Sequence, residues 1–103
     1  MTERELVHKC RMTARKMGAY LAEVGQRDTR GAGSTKGFPD AVLVCSGHKE
    51  FVEFKAPGLG IKGLRPDQWE FIRRCGDQHV QVHVIDSEEA FIALVNDCRR
   101  QKV

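Results

Sequence analysis

The sequence predicts an α/β protein built on a mixed sheet. Two observations carry that reading. Helical spacing of apolar residues alternates with strand-like runs in the order α-β-β-β-α-β-α along 103 residues. The middle strands are joined by a tight turn, whereas a helix separates the last strand from them, so a meander is followed by a crossover strand. At ~100–200 residues per domain, residues 1–103 form a single domain.

Thr2 and Glu5 have the spacing of a capping box, and Leu6, Val7, Cys10, Ala14 and Met17 recur at helical spacing. They predict a helix over 3–17, ended by Gly18. Ala19 to Gly25 alternates weakly and reads as a strand; Gln26 to Pro39 is a long glycine-bearing loop. Ala41–Cys45 and Glu50–Lys55 read as the arms of a hairpin turning at Gly47-His48. Ala56–Gly63 is a second glycine-rich loop. Pro66 suits the first turn of a helix that runs to about Cys75, where Gly76 can stop it. Val80–Ile85 alternates as a strand, and Asp86 or Ser87 caps a last helix bearing Ala90, Phe91, Leu94 and Cys98 on one stripe. Arg99-Arg100-Gln101-Lys102 reads as a frayed, solvated tail, and Trp69 as a core residue.

Composition narrows the function classes. Seventeen Lys and Arg oppose fourteen Asp and Glu, a formal net charge of +3, which favours a polyanionic partner without requiring one. No apolar run approaches the ~18 residues of a membrane span, and the charged N-terminus carries no secretory h-region. Cys10, Cys45, Cys75 and Cys98 form no C-x-x-C pair and read as small buried residues in a reducing, cytoplasmic setting. His79 and His83, four apart on a strand, would lie ~13 Å apart and cannot share a metal.

The chemistry is concentrated in Pro39-Asp40 and Glu53-Phe54-Lys55. With the hairpin turning at Gly47-His48, Asp40 lies opposite Lys55, and Glu53 shares the face of Lys55. Val52 and Phe54 then point to the other face, toward a helix. Two neighbouring carboxylates repel unless a cation lies between them, and Mg²⁺ accepts such a pair while keeping waters. With an ammonium alongside, this is the inventory for phosphodiester hydrolysis. Gln68 shares a helix face with Ile72 and Cys75, so its amide turns inward and needs a polar partner such as those carboxylates.

Pro39-Asp40 followed by Glu53-x-Lys55 resembles the PD-(D/E)XK nuclease signature. The longer segments GFPDAVLVCSGHKEFVEFKAPG, RPDQWEFIRRCG and VQVHVIDSEEA resemble the VRR-NUC (virus-type replication-repair nuclease) domain, over Glu3 to about Leu94. The resemblance implies a restriction-endonuclease-like αβββαβ core with a C-terminal helix. It implies Asp40 and Glu53 as ligands of Mg²⁺ or Mn²⁺, the Phe54 backbone carbonyl completing the site, Lys55 as the catalytic lysine and Gln68 as a further site residue. It also matches Glu3 to an acidic residue of the family's first helix; Glu5 is the competitor, already explained by the capping box. Arg27, Arg30, Lys36, Lys62 and Arg65 flank the site in sequence and are candidates for phosphate contacts.

The implied activity is structure-selective DNA cleavage, on four-way (Holliday) junctions. A chain with no accessory domain would present two sites to a two-fold substrate as a homodimer. The family name implies a phage setting and a bacterial host cytoplasm. Two alternatives share the fold: a non-catalytic nucleic-acid-binding module, and a nuclease subunit that needs a partner protein.

Overall fold

A computed structural model describes residues 1–24 and 35–101. The elements run α1 (Glu3–Lys16), β1 (Tyr20–Glu23), β2 (Ala41–Cys45), β3 (His48–Phe54), a 3₁₀ turn (Gly60–Gly63), α2 (Pro66–Asp77), β4 (Val82–Ile85) and α3 (Glu88–Arg100). The sheet order is β1-β2-β3-β4, antiparallel through the first three strands and parallel between β3 and β4. This is the predicted meander with a crossover strand, and the α/β class is as expected.

The two sheet faces differ in what covers them. Ala41, Leu43, Cys45, Val52, Phe54 and Ile85 join Leu6, Cys10 and Ala14 of α1 and Phe91, Leu94, Val95 and Cys98 of α3 in one core. Phe54 meets Phe91 with ring centroids 6.3 Å apart. The opposite face carries Phe51, against which Phe38 and Phe71 of α2 pack edge-on with centroid separations of 5.1–5.7 Å. β3 is therefore covered on both sides, and its last three residues, Val52, Glu53 and Phe54, are all buried.

Helix α1 starts at a complete capping box: the Thr2 N–H donates to Glu5 Oε1 at 2.7 Å, and the Glu5 N–H to Thr2 Oγ1 at 3.1 Å. Such a cap contributes about 1 kcal/mol. Pro66 opens α2, and Ser87 rather than Asp86 caps α3.

Several expectations are corrected. The hairpin turns at Ser46-Gly47, both at positive φ (52° and 82°), so Cys45 pairs with His48 and Ala41 with Val52. Two successive residues at positive φ make a type I′ turn, whose twist suits a two-residue hairpin. Moving the turn by one residue shifts every partner by two, so side chains keep their faces while Asp40 comes opposite Glu53 instead of Lys55. Gly76 does not end α2, which continues to Asp77; the turn that follows uses His79 at φ 63°. β4 begins at Val82 rather than Val80, which takes His79 out of the strand. α3 extends through Arg99 and Arg100. Trp69 is 47% exposed, because on α2 it sits about 100° around from the inward Gln68. Cys10, Cys45 and Cys98 are buried, but Cys75 is only partly so.

Candidate active site

The residue before β2, the end of β3 and the start of α2 come together at one place. Asp40 ends the segment that enters β2, and the Phe54 N–H donates to Asp40 Oδ2 at 2.8 Å. The Asp40 carbonyl in turn accepts the Val24 N–H at 2.8 Å, so the aspartate is held from two strands. Its approach is fixed by Gly37, at φ 78°, which lies against the first turn of α2. A Cβ there would stand 2.1 Å from the Asp67 carbonyl oxygen, so only glycine fits.

Glu53, Lys55 and Gln68 are buried polar side chains, 2%, 6% and 4% exposed. They satisfy one another. Gln68 Nε2 donates to Glu53 Oε2 at 2.6 Å, Lys55 Nζ donates to Gln68 Oε1 at 2.9 Å, and Lys55 Nζ lies 3.4 Å from Glu53 Oε2. Gln68 Oε1 also accepts the Arg65 N–H at 2.8 Å, one of the otherwise unpaired donors at the start of α2. The amide orientation follows from these partners, two donors meeting its oxygen and one carboxylate meeting its nitrogen. The stem of Lys55 runs under Gly63, where an added Cβ would come within 3.1 Å of Lys55 Cδ.

The electrostatics mark Glu53 as the strained member. Burial first, then the facing Asp40 carboxylate, push its carboxyl up to about 7, although the Lys55 ammonium pulls the other way. A carboxyl–carboxyl contact with Asp40 adds to the rise. Glu3, at the start of α1, is also raised, by partial burial and then by Asp40, with Lys55 and Arg65 opposing. Glu5 is lowered by its bonds to Thr2. Of the two glutamates, Glu3 is the one in the field of the site, and Glu5 is committed to the cap.

Among the described residues, no three His, Cys, Asp or Glu side chains close on a common point, so Glu3 is not brought into a shared ligand set with Asp40 and Glu53. The donor set that does assemble is two carboxylates and a backbone edge. An extended residue presents its N–H and C=O on the same edge, so the Phe54 carbonyl lies on the Asp40 side of β3. All these donors are hard oxygens, the chemistry that suits Mg²⁺ or Mn²⁺.

At Asp40 the site borders a groove of about 1100 Å³, lined by Asp40, Ala41 and Phe54, by Glu23 and Val24, and by residues of α1, while Glu53, Lys55 and Gln68 lie outside its lining. Of the five cations expected to flank the site, Lys36, Lys62 and Arg65 are exposed, and Arg65 is paired with Asp67 at 3.3 Å. Arg27 and Arg30 lie outside the described residues. Sequence reading missed the cations of α1 that line the groove, although their helical spacing was there to be read.

The comparisons with known proteins bear on the family and the fold. The model of the VRR-NUC domain family matches residues 2–89. A solved structure described as a VRR-NUC domain protein superimposes with a TM-score of 0.72, covering 95% of this chain and 88% of that one at 16% identity, a likeness of fold. No curated protein matches.

Proposed function

The chain belongs to the VRR-NUC domain family and has its nuclease-type fold, and we propose that it is a divalent-metal-dependent endonuclease that hydrolyses DNA phosphodiesters. One observation carries the reading: the partly buried Asp40 faces the buried Glu53, whose carboxyl is pushed up to about 7, a repulsion that the single Lys55 ammonium offsets only in part and that a divalent cation would relieve. Asp40, Glu53 and the Phe54 carbonyl would hold Mg²⁺ or Mn²⁺. Bound there, the ion would acidify a water and neutralise phosphate charge.

The chain's own residues do the positioning. A lysine ammonium has three donors; among the described residues Lys55 turns toward Glu53 and Gln68, which leaves a donor direction for a water or phosphate oxygen. Lys55 thereby orients the attacking water and offsets charge on phosphorus. Gln68 fixes the relative placement of Glu53 and Lys55. Attack by water breaks the P–O3′ bond and leaves a 5′-phosphate and a 3′-hydroxyl.

The finer reading is a homodimer acting on four-way junctions. Its support is the symmetry argument, in which a two-fold pair of sites matches a two-fold substrate. The test is cleavage of a four-way junction and a linear duplex, with and without Mg²⁺, by the wild type and by Lys55→Ala. The expected result is metal-dependent cutting, faster on the junction and lost in the variant. Undiminished cutting by Lys55→Ala would refute the mechanism, and a purely monomeric protein in the presence of junction DNA would refute the dimer.

A further inference from the structure

Helix α1 carries Arg4, His8 and Arg11 at spacings of four and three residues, which places them on one helix face. All three line the groove that ends at Asp40 and Phe54. Two of the carboxylates in that groove have partners: Glu23 is bonded to Arg11, and Glu5 accepts the Thr2 N–H. Glu3 and Asp40 line it as well. Arg11 is also braced by His8, with Nη2 at 3.3 Å from His8 Nδ1, so the pair is ordered from two sides. Arg4 is exposed and, among the described residues, has no ion-pair partner. Lys9 also lines the groove but reaches 3.9 Å to Glu88 of α3.

From this placement we propose that the α1 face bearing Arg4, His8 and Arg11 is a nucleic-acid track. On this reading it holds the phosphates of the strand that runs into the site, next to the one that is cut. The inference rests on the nuclease reading and adds the residues that hold substrate outside the reacting centre. At 1.5 Å per residue the face from Arg4 to Arg11 is about 10 Å long. That length spans about three phosphates of one strand at ~3.4 Å of axial rise. The contacts are to phosphate, so they set position and affinity without reading sequence. Arg4 lines the groove together with Asp40, and on this reading it serves a phosphate near the scissile bond.

The test is binding of a fluorescent single-stranded oligonucleotide and a fluorescent four-way junction in EDTA, over a salt series. The proteins are the wild type, Arg4→Ala, Arg4→Glu, Arg4→Lys and an Arg99→Ala control on α3. Removing one cation that neutralises a phosphate reduces the slope of log affinity against log salt by ~0.7–0.9. Arg4→Ala is expected to weaken binding of both probes several-fold and to lower that slope by about this amount. Arg4→Glu should weaken it further, Arg4→Lys restore most of it, and Arg99→Ala leave it unchanged. Mn²⁺ binding by calorimetry and the thermal midpoint should be the same for all five proteins.

Wild-type binding that is salt-dependent but indifferent to Arg4→Glu overturns the track while leaving the nuclease reading intact. A wild type that binds Mn²⁺ but neither DNA probe overturns both.

Discussion

Replacing Asp40 by Asn isolates the feature on which the site depends. Asn keeps an oxygen to accept the Phe54 N–H, now satisfied at 2.8 Å, and removes the charge facing Glu53. Glu53 is 2% exposed and is raised from 4.5 to about 7, which at ~1.4 kcal/mol per pKa unit means about 3 kcal/mol held against its charged form. Burial is the largest cause and Asp40 the next, so Asp40→Asn should return about 1 kcal/mol of that to the metal-free fold.

The sign follows from linkage. A carboxyl raised in the folded state adds stability below its unfolded value near 4.5, and that stability is lost as pH climbs through about 7. The gain from the variant should therefore be full at pH 8 and vanish near pH 5. The assay is urea unfolding in EDTA at both pH values. The expected rise at pH 8 corresponds to about 4–8 °C in thermal midpoint for a chain of this size. With excess Mn²⁺ the order should invert, because the wild type gains the binding free energy and the variant does not. A variant no more stable than wild type at pH 8, or one changed equally at both pH values, would refute the reasoning and leave Asp40 as a backbone cap.

Other predictions follow from the same geometry. Mn²⁺ affinity, measured by calorimetry, should rise from pH 6 to pH 8 and then level off, since a proton must leave Glu53 before the ion binds; proton release should be seen below about pH 7 in buffers of different ionisation heat. Gln68→Leu should abolish most activity and cost about 2–4 kcal/mol in urea unfolding, because it leaves the buried Lys55 and Glu53 without their shared amide. Gly37→Ala should destabilise by about 2 kcal/mol or more, from a Cβ 2.1 Å from the Asp67 oxygen at φ 78°, and circular dichroism melts will show it even where metal binding survives.

Legibility in the sequence tracks the range of the interactions concerned. Elements with strong local signals, such as the capping box of α1, Pro66 at the start of α2 and the apolar stripe of α3, lie within a residue or two of where their patterns place them. The hairpin turn falls one residue earlier than expected because Gly47 can open a two-residue turn as well as close one, and only the pairing of β2 with β3 decides between them. The convergence of Asp40, Glu53 and Lys55 on one face survives that shift, since strand alternation has period two and the slip is even. The groove is less legible: the spacing of Arg4, His8 and Arg11 puts them on one helix face, but that this face borders the strand ends is set by how α1 packs on the sheet, a long-range contact. Trp69 departs from expectation because an aromatic side chain reads as apolar wherever it stands, and its exposure is set by its phase relative to Gln68.

Gln68 shows why the catalytic candidates and the fold cannot be treated separately. It occupies the third position of α2, where a side-chain oxygen can take an otherwise unpaired N–H at the helix start, and here it takes that of Arg65. The same oxygen accepts from Lys55 and the amide nitrogen donates to Glu53. Starting the helix therefore fixes the amide, and the fixed amide sets the spacing of a buried acid and base that would otherwise be free to rearrange. Gly37 lies against that same turn and delivers Asp40 from the other side. The first turn of α2 is thus the common support of both carboxylates, and a change that loosens it would separate them before it unfolded the sheet.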